Sequence, residues 1–308
     1  MNEPVAVIDC GTNAIRLLVA VVTPGGQMED LIREMRTVRL GEGVDRTGEF
    51  SQQALDRTFT ACREYAQTIA QFNVRTIRFI ATSASRDVSN KGEFIRGVES
   101  ILGVTPEIIS GTEEAELSYL GAISGFDPEP EQPIVVADIG GGSTEFVMRN
   151  STSTFIAHSI NIGCVRMTER YLQSDPPTDS EIAQAIEEIH CGLSQVRSQL
   201  PIHTANTFIG LAGSVTTVAA MSLGLHEYNA TAIHGAVLSL EQVEWVTDHL
   251  IHMSRAERAQ LGFMHPGRVD VIGGGALILR ESMRQLNFPR VVVSEHDLLD
   301  GVVARFTA

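Results

Sequence analysis

The chain has 308 residues, 43 % of them hydrophobic, and a formal net charge of −15. That length is too great for one ordinary core and suits two domains, and the acidic balance argues against a general nucleic-acid coat, which needs a basic face. No apolar run reaches the roughly 18–20 residues of a membrane span. Met1-Asn2-Glu3-Pro4 lacks a basic leader, and Cys10, Cys62, Cys164 and Cys191 show neither metal nor disulfide spacing. A cytoplasmic protein with reduced thiols, no nucleic-acid partner and no membrane partner is therefore expected.

Residues 4–22 and about 28–40 read as strands of a meander, turned at Thr23-Pro24-Gly25-Gly26. Ser51 is a good N-cap for a helix to about Phe72, along which Leu55, Phe59, Cys62, Ala66 and Ile69 recur at helical spacing. A buried strand, 76–81, leads into the polar loop Thr82-Ser83-Ala84-Ser85-Arg86-Asp87. A helix over roughly 90–102 and a strand at 106–109 follow, and a further helix starts at Ser110-Gly111-Thr112, with Thr112 as cap, and runs to about Ser124. The acidic, proline-rich segment 125–133 reads as a surface connection at a domain boundary.

Beyond it the pattern restarts. Helices are expected at about 164–173 and 179–199, the second capped by Asp179 and Ser180 after Pro176-Pro177. A strand at 207–211, a helix at 215–223, a helix near 240–253, the segment 269–286 and a strand at 290–293 complete the chain. Strands alternating with helices predict an α/β fold.

Two stretches, 129 positions apart, say nearly the same thing. Val5–Val19 and Ile134–Met148 are each an apolar strand ending on an Asp, then a Gly-containing turn, then a second apolar strand. Such a turn leaves N–H groups free for an anion, and the Asp beside it can hold a divalent cation, directly or through water. Aligned, Asp9 matches Asp138, Gly11 matches Gly140, Thr12 and Asn13 match Gly141 and Gly142, and Arg16 matches Glu145. The last pair differs in sign, which suits Arg16 to an oxyanion and Glu145 to a metal or a water.

A third turn of this build is Ala212-Gly213-Ser214, at a helix N-terminus. Close helix–strand packing explains its glycine equally well. Gly273-Gly274-Gly275 reads as a helix start more readily than as a ligand contact. Glu113 and Glu114 open the helix after Ser110-Gly111-Thr112; acids are favoured there by the helix dipole, and a carboxylate facing a glycine cleft is also placed to activate water. Arg86, straight after a strand, lies where open α/β sheets bind ligands and reads as a phosphate clamp.

Four motifs in this order, Asp9-Cys10-Gly11-Thr12-Asn13, Thr82-Ser83-Ala84-Ser85-Arg86, Ile109-Ser110-Gly111-Thr112-Glu113-Glu114-Ala115 and Asp138-Ile139-Gly140-Gly141-Gly142-Ser143-Thr144-Glu145, resemble the exopolyphosphatase/guanosine-pentaphosphate phosphohydrolase family. The resemblance covers essentially the whole chain. It implies two ribonuclease H-like (actin-like) domains with an interdomain cleft, 1–125 and 126–308, with the last helix returning to the first, and a homodimer. It implies Glu114 as general base, with Glu145 beside it in the chemistry. Asp138, Glu145 and Asp9 would serve Mg²⁺ (Mn²⁺ as the second choice). Gly11, Thr12, Asn13, Arg16 and Arg86 would form one phosphate grip, Gly140, Gly141, Gly142, Ser143 and Thr144 the other, and Gly213 and Ser214 a further anion turn. Ala14 stands where many members have Ser, and Glu116 where many have Arg, which puts a negative charge beside the base. The expected activity is Mg²⁺-dependent release of orthophosphate from the end of inorganic polyphosphate. Hydrolysis of guanosine pentaphosphate (pppGpp), an actin-like ATP-binding module or sugar kinase, and a non-catalytic polyphosphate-binding regulator are the alternatives.

Overall fold

The computed structural model describes residues 3–23, 28–149 and 154–305. The expected Thr23–Gly26 turn falls mostly outside them. The first half contains β1 (Val5–Cys10), β2 (Ala14–Val22), β3 (Met28–Thr37), α1 (Val44–Thr47), α2 (Gln52–Ala70), β4 (Thr76–Ala81), α3 (Ser83–Arg86), α4 (Lys91–Leu102), β5 (Glu107–Ile108) and α5 (Gly111–Ser124). The second half begins with β6 (Ile134–Ile139), β7 (Thr144–Arg149), β8 (Phe155–Ile160), α6 (Cys164–Tyr171) and α7 (Asp179–Gln199). It continues with β9 (Thr207–Leu211), α8 (Gly213–Ser222), α9 (Ala230–Ile233), β10 (Val237–Ser239), α10 (Leu240–His252) and α11 (Arg255–Arg258). It ends with α12 (Ile272–Gln285), β11 (Arg290–Val293) and α13 (Leu298–Arg305).

The strands form two sheets, ordered β3-β2-β1-β4-β5 and β10-β11-β9-β6-β7-β8. Leaving β10 aside, both follow one plan: an antiparallel meander of three strands whose first member is extended by parallel strands. This is the doubled α/β arrangement that the repeated Asp–Gly turns imply. The registers repeat as well, since Asp9 faces Arg16 across β1–β2 and Asp138 faces Glu145 across β6–β7. The parallel connections β1→β4 and β6→β9 bring the ends of β1, β4, β6 and β9 together, the usual ligand edge of an α/β sheet.

Helices α5 and α13 lie between the sheets. Ala115, Tyr119 and Ala122 of α5 join Ile134, Val136 and Ile209 of the second sheet in one apolar cluster. Leu298, Val302 and Val303 of α13 pack with Val7, Leu18 and Ile80 of the first. The two helices cross at glycines: a Cβ on Gly301 would lie 1.9 Å from the Leu117 carbonyl oxygen, and one on Gly121 1.7 Å from that of Asp297. Only hydrogen fits there, so the crossing fixes the start of α5, and Glu114 with it, against both sheets. All four cysteines are free thiols. Among the described residues no helix is long and apolar enough to cross a membrane.

Local details depart from the sequence reading. The cap of α7 is Thr178, in a capping box with Glu181, not Asp179 or Ser180. Ser110, not Thr112, caps α5, its side chain accepting from the Glu113 N–H. In both cases the capping hydroxyl must sit one residue before the first helical residue to reach the N3 amide. Within the expected polar loop after β4, Ser83–Arg86 coils into the single turn of α3, with Thr82 before it.

Candidate active site

Both Asp–Gly turns close on themselves identically. The Gly11 N–H donates to the Ala14 carbonyl and the Gly140 N–H to the Ser143 carbonyl, each at 3.0 Å. Neighbouring backbone then captures the turn carbonyls. The Thr12 carbonyl accepts from Gly41 at 2.9 Å, and that of Asn13 from Val38 and Arg39 at 3.1 and 2.8 Å. The first turn of α6 does the same for the second loop: Cys164 and Val165 donate to the Gly140 and Gly141 carbonyls at 2.9 Å. With the carbonyls engaged, the N–H groups of Thr12, Asn13, Gly141, Gly142 and Ser143 find no acceptor among the described residues. All five residues line one cleft of about 120 Å³. Unpaired donors on opposed loops form an anion cradle. Gly142 is also sterically constrained, because a Cβ there would lie 2.4 Å from Ser83 Oγ and 2.7 Å from Thr12 Oγ1.

Asp9, Gly11, Arg16, Glu114, Asp138, Gly140, Gly213 and Ser214 also line this cleft, whereas Arg86, Thr144 and Glu145 do not. Glu114 is 8 % exposed and accepts from Arg86 Nη1 at 2.7 Å; the same nitrogen donates to the Ile109 carbonyl at 3.1 Å. Arg86 Nη2 lies 3.7 Å from Glu145 Oε1. Arg86 is thus held between two carboxylates and is not an open phosphate clamp. Burial pushes the Glu114 pKa up, the charge of Glu145 adds to this, and Arg86 opposes it.

Arg16 is likewise engaged. Its Nε donates to Asp9 Oδ2 at 2.9 Å and its Nη1 to Asp297 of the loop before α13, so it is not a free oxyanion ligand. Two expected hydroxyls are turned inward: Thr144 Oγ1 donates to the Ile162 carbonyl at 2.6 Å, and Ser143 Oγ to Glu145 Oε1 at 2.6 Å. Glu116 does not reach the cleft. It pairs across the helix crossing with Arg305 of α13 at 3.1 Å, a guanidinium it shares with Glu113 at 3.6 Å. Gly273-Gly274-Gly275 opens α12, and a Cβ on Gly275 would lie 2.0 Å from Ser214 Oγ.

Arg268 and His265 are among the cleft residues that escaped the sequence reading. Arg268 donates to Thr217 Oγ1 at 3.1 Å, and no carboxylate among the described residues pairs with it. Its guanidinium lies over Gly213, where a Cβ would come within 2.3 Å of Cζ. His265 Nδ1 accepts from the Gly267 N–H at 3.1 Å, which leaves the proton on Nε2; burial and Arg268 hold its pKa low. The only sequence signal was the Pro266-Gly267 turn, which says nothing of what it faces.

The carboxylates are suited to a cation. Burial raises the pKa of Asp9 and lifts that of Asp138 to about 6 and that of Glu145 to about 7, the last with a contribution from Asp138. Asp9 Oδ1 and Glu145 Oε2 are buried without a hydrogen-bond partner. Asp138 Oδ2 accepts from Ser118 Oγ at 2.6 Å. Among the described residues no three His, Cys, Asp or Glu side chains converge to chelate an ion by themselves. That pattern fits Mg²⁺, which keeps several waters and takes one or two carboxylates plus substrate phosphates.

A family model, the Ppx/GppA phosphatase family, matches residues 18–307. The chain is 44 % identical over 310 residues to exopolyphosphatase 2 of Mycobacterium tuberculosis, covering 97 % of each. It superposes on the crystal structure of an exopolyphosphatase-like protein with a TM-score of 0.94 at 42 % identity, covering 99 % of this chain and 98 % of that one. It superposes on the Aquifex aeolicus Ppx/GppA family member with a TM-score of 0.83 at 29 % identity, covering 100 % and 98 %.

Proposed function

The chain belongs to the Ppx/GppA phosphatase family, and from that premise we propose that it is an exopolyphosphatase, hydrolysing the terminal phosphoanhydride of inorganic polyphosphate to orthophosphate. The observation that carries this reading is Glu114: a buried carboxylate, ion-paired to Arg86, on the wall of a cleft whose other walls are two turns with unpaired N–H groups.

Each residue then has a task. The N–H groups of Thr12, Asn13, Gly141, Gly142 and Ser143 receive the phosphoryl oxygens, whose charge they stabilise as the bond breaks. Glu114 orients the attacking water and takes its proton, and its raised pKa makes it a better base near neutrality than an exposed glutamate. Arg86 keeps Glu114 in place and ionised. Arg268, unpaired over Gly213, fits an upstream phosphate. Asp9 and Asp138, with Glu145 behind them, would hold Mg²⁺ (or Mn²⁺), which when bound neutralises phosphate charge and polarises the phosphoryl group.

One observation favours guanosine pentaphosphate as a second substrate. A chamber of about 460 Å³ opens beside the cleft, sharing Arg16, Gly213 and Arg268 with it, and Met35, Phe263 and Met264 give it apolar walls on which a nucleoside could lie. We also read the protein as a cytoplasmic homodimer with halves 1–125 and 126–308, a reading supported by its resemblance to the short, two-domain members of the family.

The test is phosphate release from short polyphosphate, long polyphosphate, guanosine pentaphosphate and ATP, side by side, with Mg²⁺ or with EDTA. Polyphosphate should be cleaved fastest and only with the metal. Turnover of ATP in preference to both other classes would overturn the reading.

A further inference from the structure

The Gly140-Gly141-Gly142 loop has a third carbonyl, and it is held differently from the first two. Backbone amides of α6 take Gly140 and Gly141, but the Gly142 carbonyl accepts from the Arg166 side chain, Nε at 2.9 Å. The other two nitrogens of the same guanidinium reach across to the first half of the chain. Nη1 donates to Asp45 Oδ1 at 2.6 Å and Nη2 to Asp87 Oδ2 at 2.8 Å. Asp87 directly follows Arg86, the partner of Glu114. The Arg166 side chain is only 12 % exposed, and it does not line the cleft.

We propose that Arg166 is a positioning residue for phosphoryl transfer, setting the direction of the Gly142–Ser143 peptide through the Gly142 carbonyl while the two aspartates fix its own position. A peptide unit is planar, so its N–H points opposite to its carbonyl. Holding the Gly142 carbonyl on the α6 side therefore turns the Ser143 N–H toward the cleft. Glycine at 142 has no side chain to limit rotation, so an external constraint is needed. A guanidinium suits the task because its rigid planar fork spreads its donors over three nitrogens, whereas the three donors of an ammonium share one nitrogen on a flexible stem. Arg170, which donates to Asp45 Oδ1 at 2.5 Å, reinforces the Asp45 anchor without touching the loop.

This proposal rests on the phosphohydrolase reading, so its test uses two readouts. Arg166→Lys keeps a cation between Asp45 and Asp87 and loses the Gly142 contact. Its kcat on polyphosphate should fall about tenfold or more, as expected when a preorganised donor is misdirected. Asp45→Asn with Asp87→Asn keeps that contact but loosens its anchors, so its kcat should also fall, by a smaller factor than in Arg166→Lys. In parallel, the affinity for pyrophosphate, measured by calorimetry, should fall in Arg166→Lys whichever compound the protein hydrolyses. Wild-type kcat and wild-type pyrophosphate affinity in Arg166→Lys would overturn the proposal, and so would a larger kcat loss in the double variant than in Arg166→Lys. A wild-type chain that binds pyrophosphate but cleaves neither polyphosphate nor guanosine pentaphosphate would overturn the functional reading, leaving the pyrophosphate comparison to decide the role of Arg166.

Discussion

Arg86 donates to Glu114 at 2.7 Å, joining the loop after β4 to the first turn of α5. The pair makes Arg86 a determinant of the base and not only of substrate binding. Burial, then the charge of Glu145, raise the Glu114 pKa, and Arg86 lowers it. Glu114→Gln should lose activity by on the order of 10²–10⁴-fold while still binding polyphosphate. Arg86→Met removes the cation that favours the ionised form, so the acid limb of the kcat/KM profile should move to higher pH. An unmoved acid limb, with only KM raised, would return Arg86 to the role of a phosphate clamp.

The buried carboxylates should weaken the metal-free protein as pH rises. Burial lifts the Glu145 pKa to about 7 and that of Asp138 to about 6, both well above the ordinary carboxylate range. The folded state therefore holds protons that the unfolded state has released, so the contribution is fully present below about pH 4 and is lost as pH rises to about 7, a few kcal/mol in all. In EDTA, Glu145→Gln should raise Tm at pH 8 by about 2–5 °C and change it little at pH 5. It keeps the acceptor for Ser143 and Ser159. A Tm gain at pH 5 as large as that at pH 8 would show that charge burial is not the cause.

Arg268 tests the binding side of the cleft. A guanidinium with no carboxylate partner contributes little to the fold, so Arg268→Gln should change Tm by less than about 2 °C. Its KM for polyphosphate should rise about tenfold or more, with kcat less affected. Gly213→Ala should act in the same direction, because its Cβ would lie 2.3 Å from Arg268 Cζ and force the side chain aside. A large Tm loss in Arg268→Gln would make it a structural tie between the turn at 266–268 and α8.

How much of this was legible depends on the range of each interaction. Strands β4, β9 and β11 coincide with their predicted ranges, because short apolar runs between polar turns leave little choice of boundary. The three-residue β10 went unread, being too short to show a period. The two Asp–Gly turns were legible because strand, acid and glycines are contiguous. The partners of Arg16, Arg86 and Glu116 were not, since Asp297, Glu114 and Arg305 come from distant segments brought together only by the sheet order and the α5–α13 crossing. Arg268 was hidden for the same reason.

That crossing supplies the last prediction. Gly301 sits where α13 meets α5, and a Cβ there would lie 1.9 Å from the Leu117 carbonyl oxygen and 3.1 Å from the Gly121 N. Both obstacles are backbone, so neither can rotate away; the helices must separate. Gly301→Ala should therefore cost on the order of 1–3 kcal/mol, seen as a lower denaturation midpoint at unchanged m-value. Because α5 carries Glu114 and α13 follows Asp297, the partner of Arg16, separation also disturbs the cleft from both sides. Activity should then fall at temperatures where Gly301→Ala is still fully folded. Normal activity and stability in this variant would mean that the helices have room to part, and that the glycine contact does not set the position of the base.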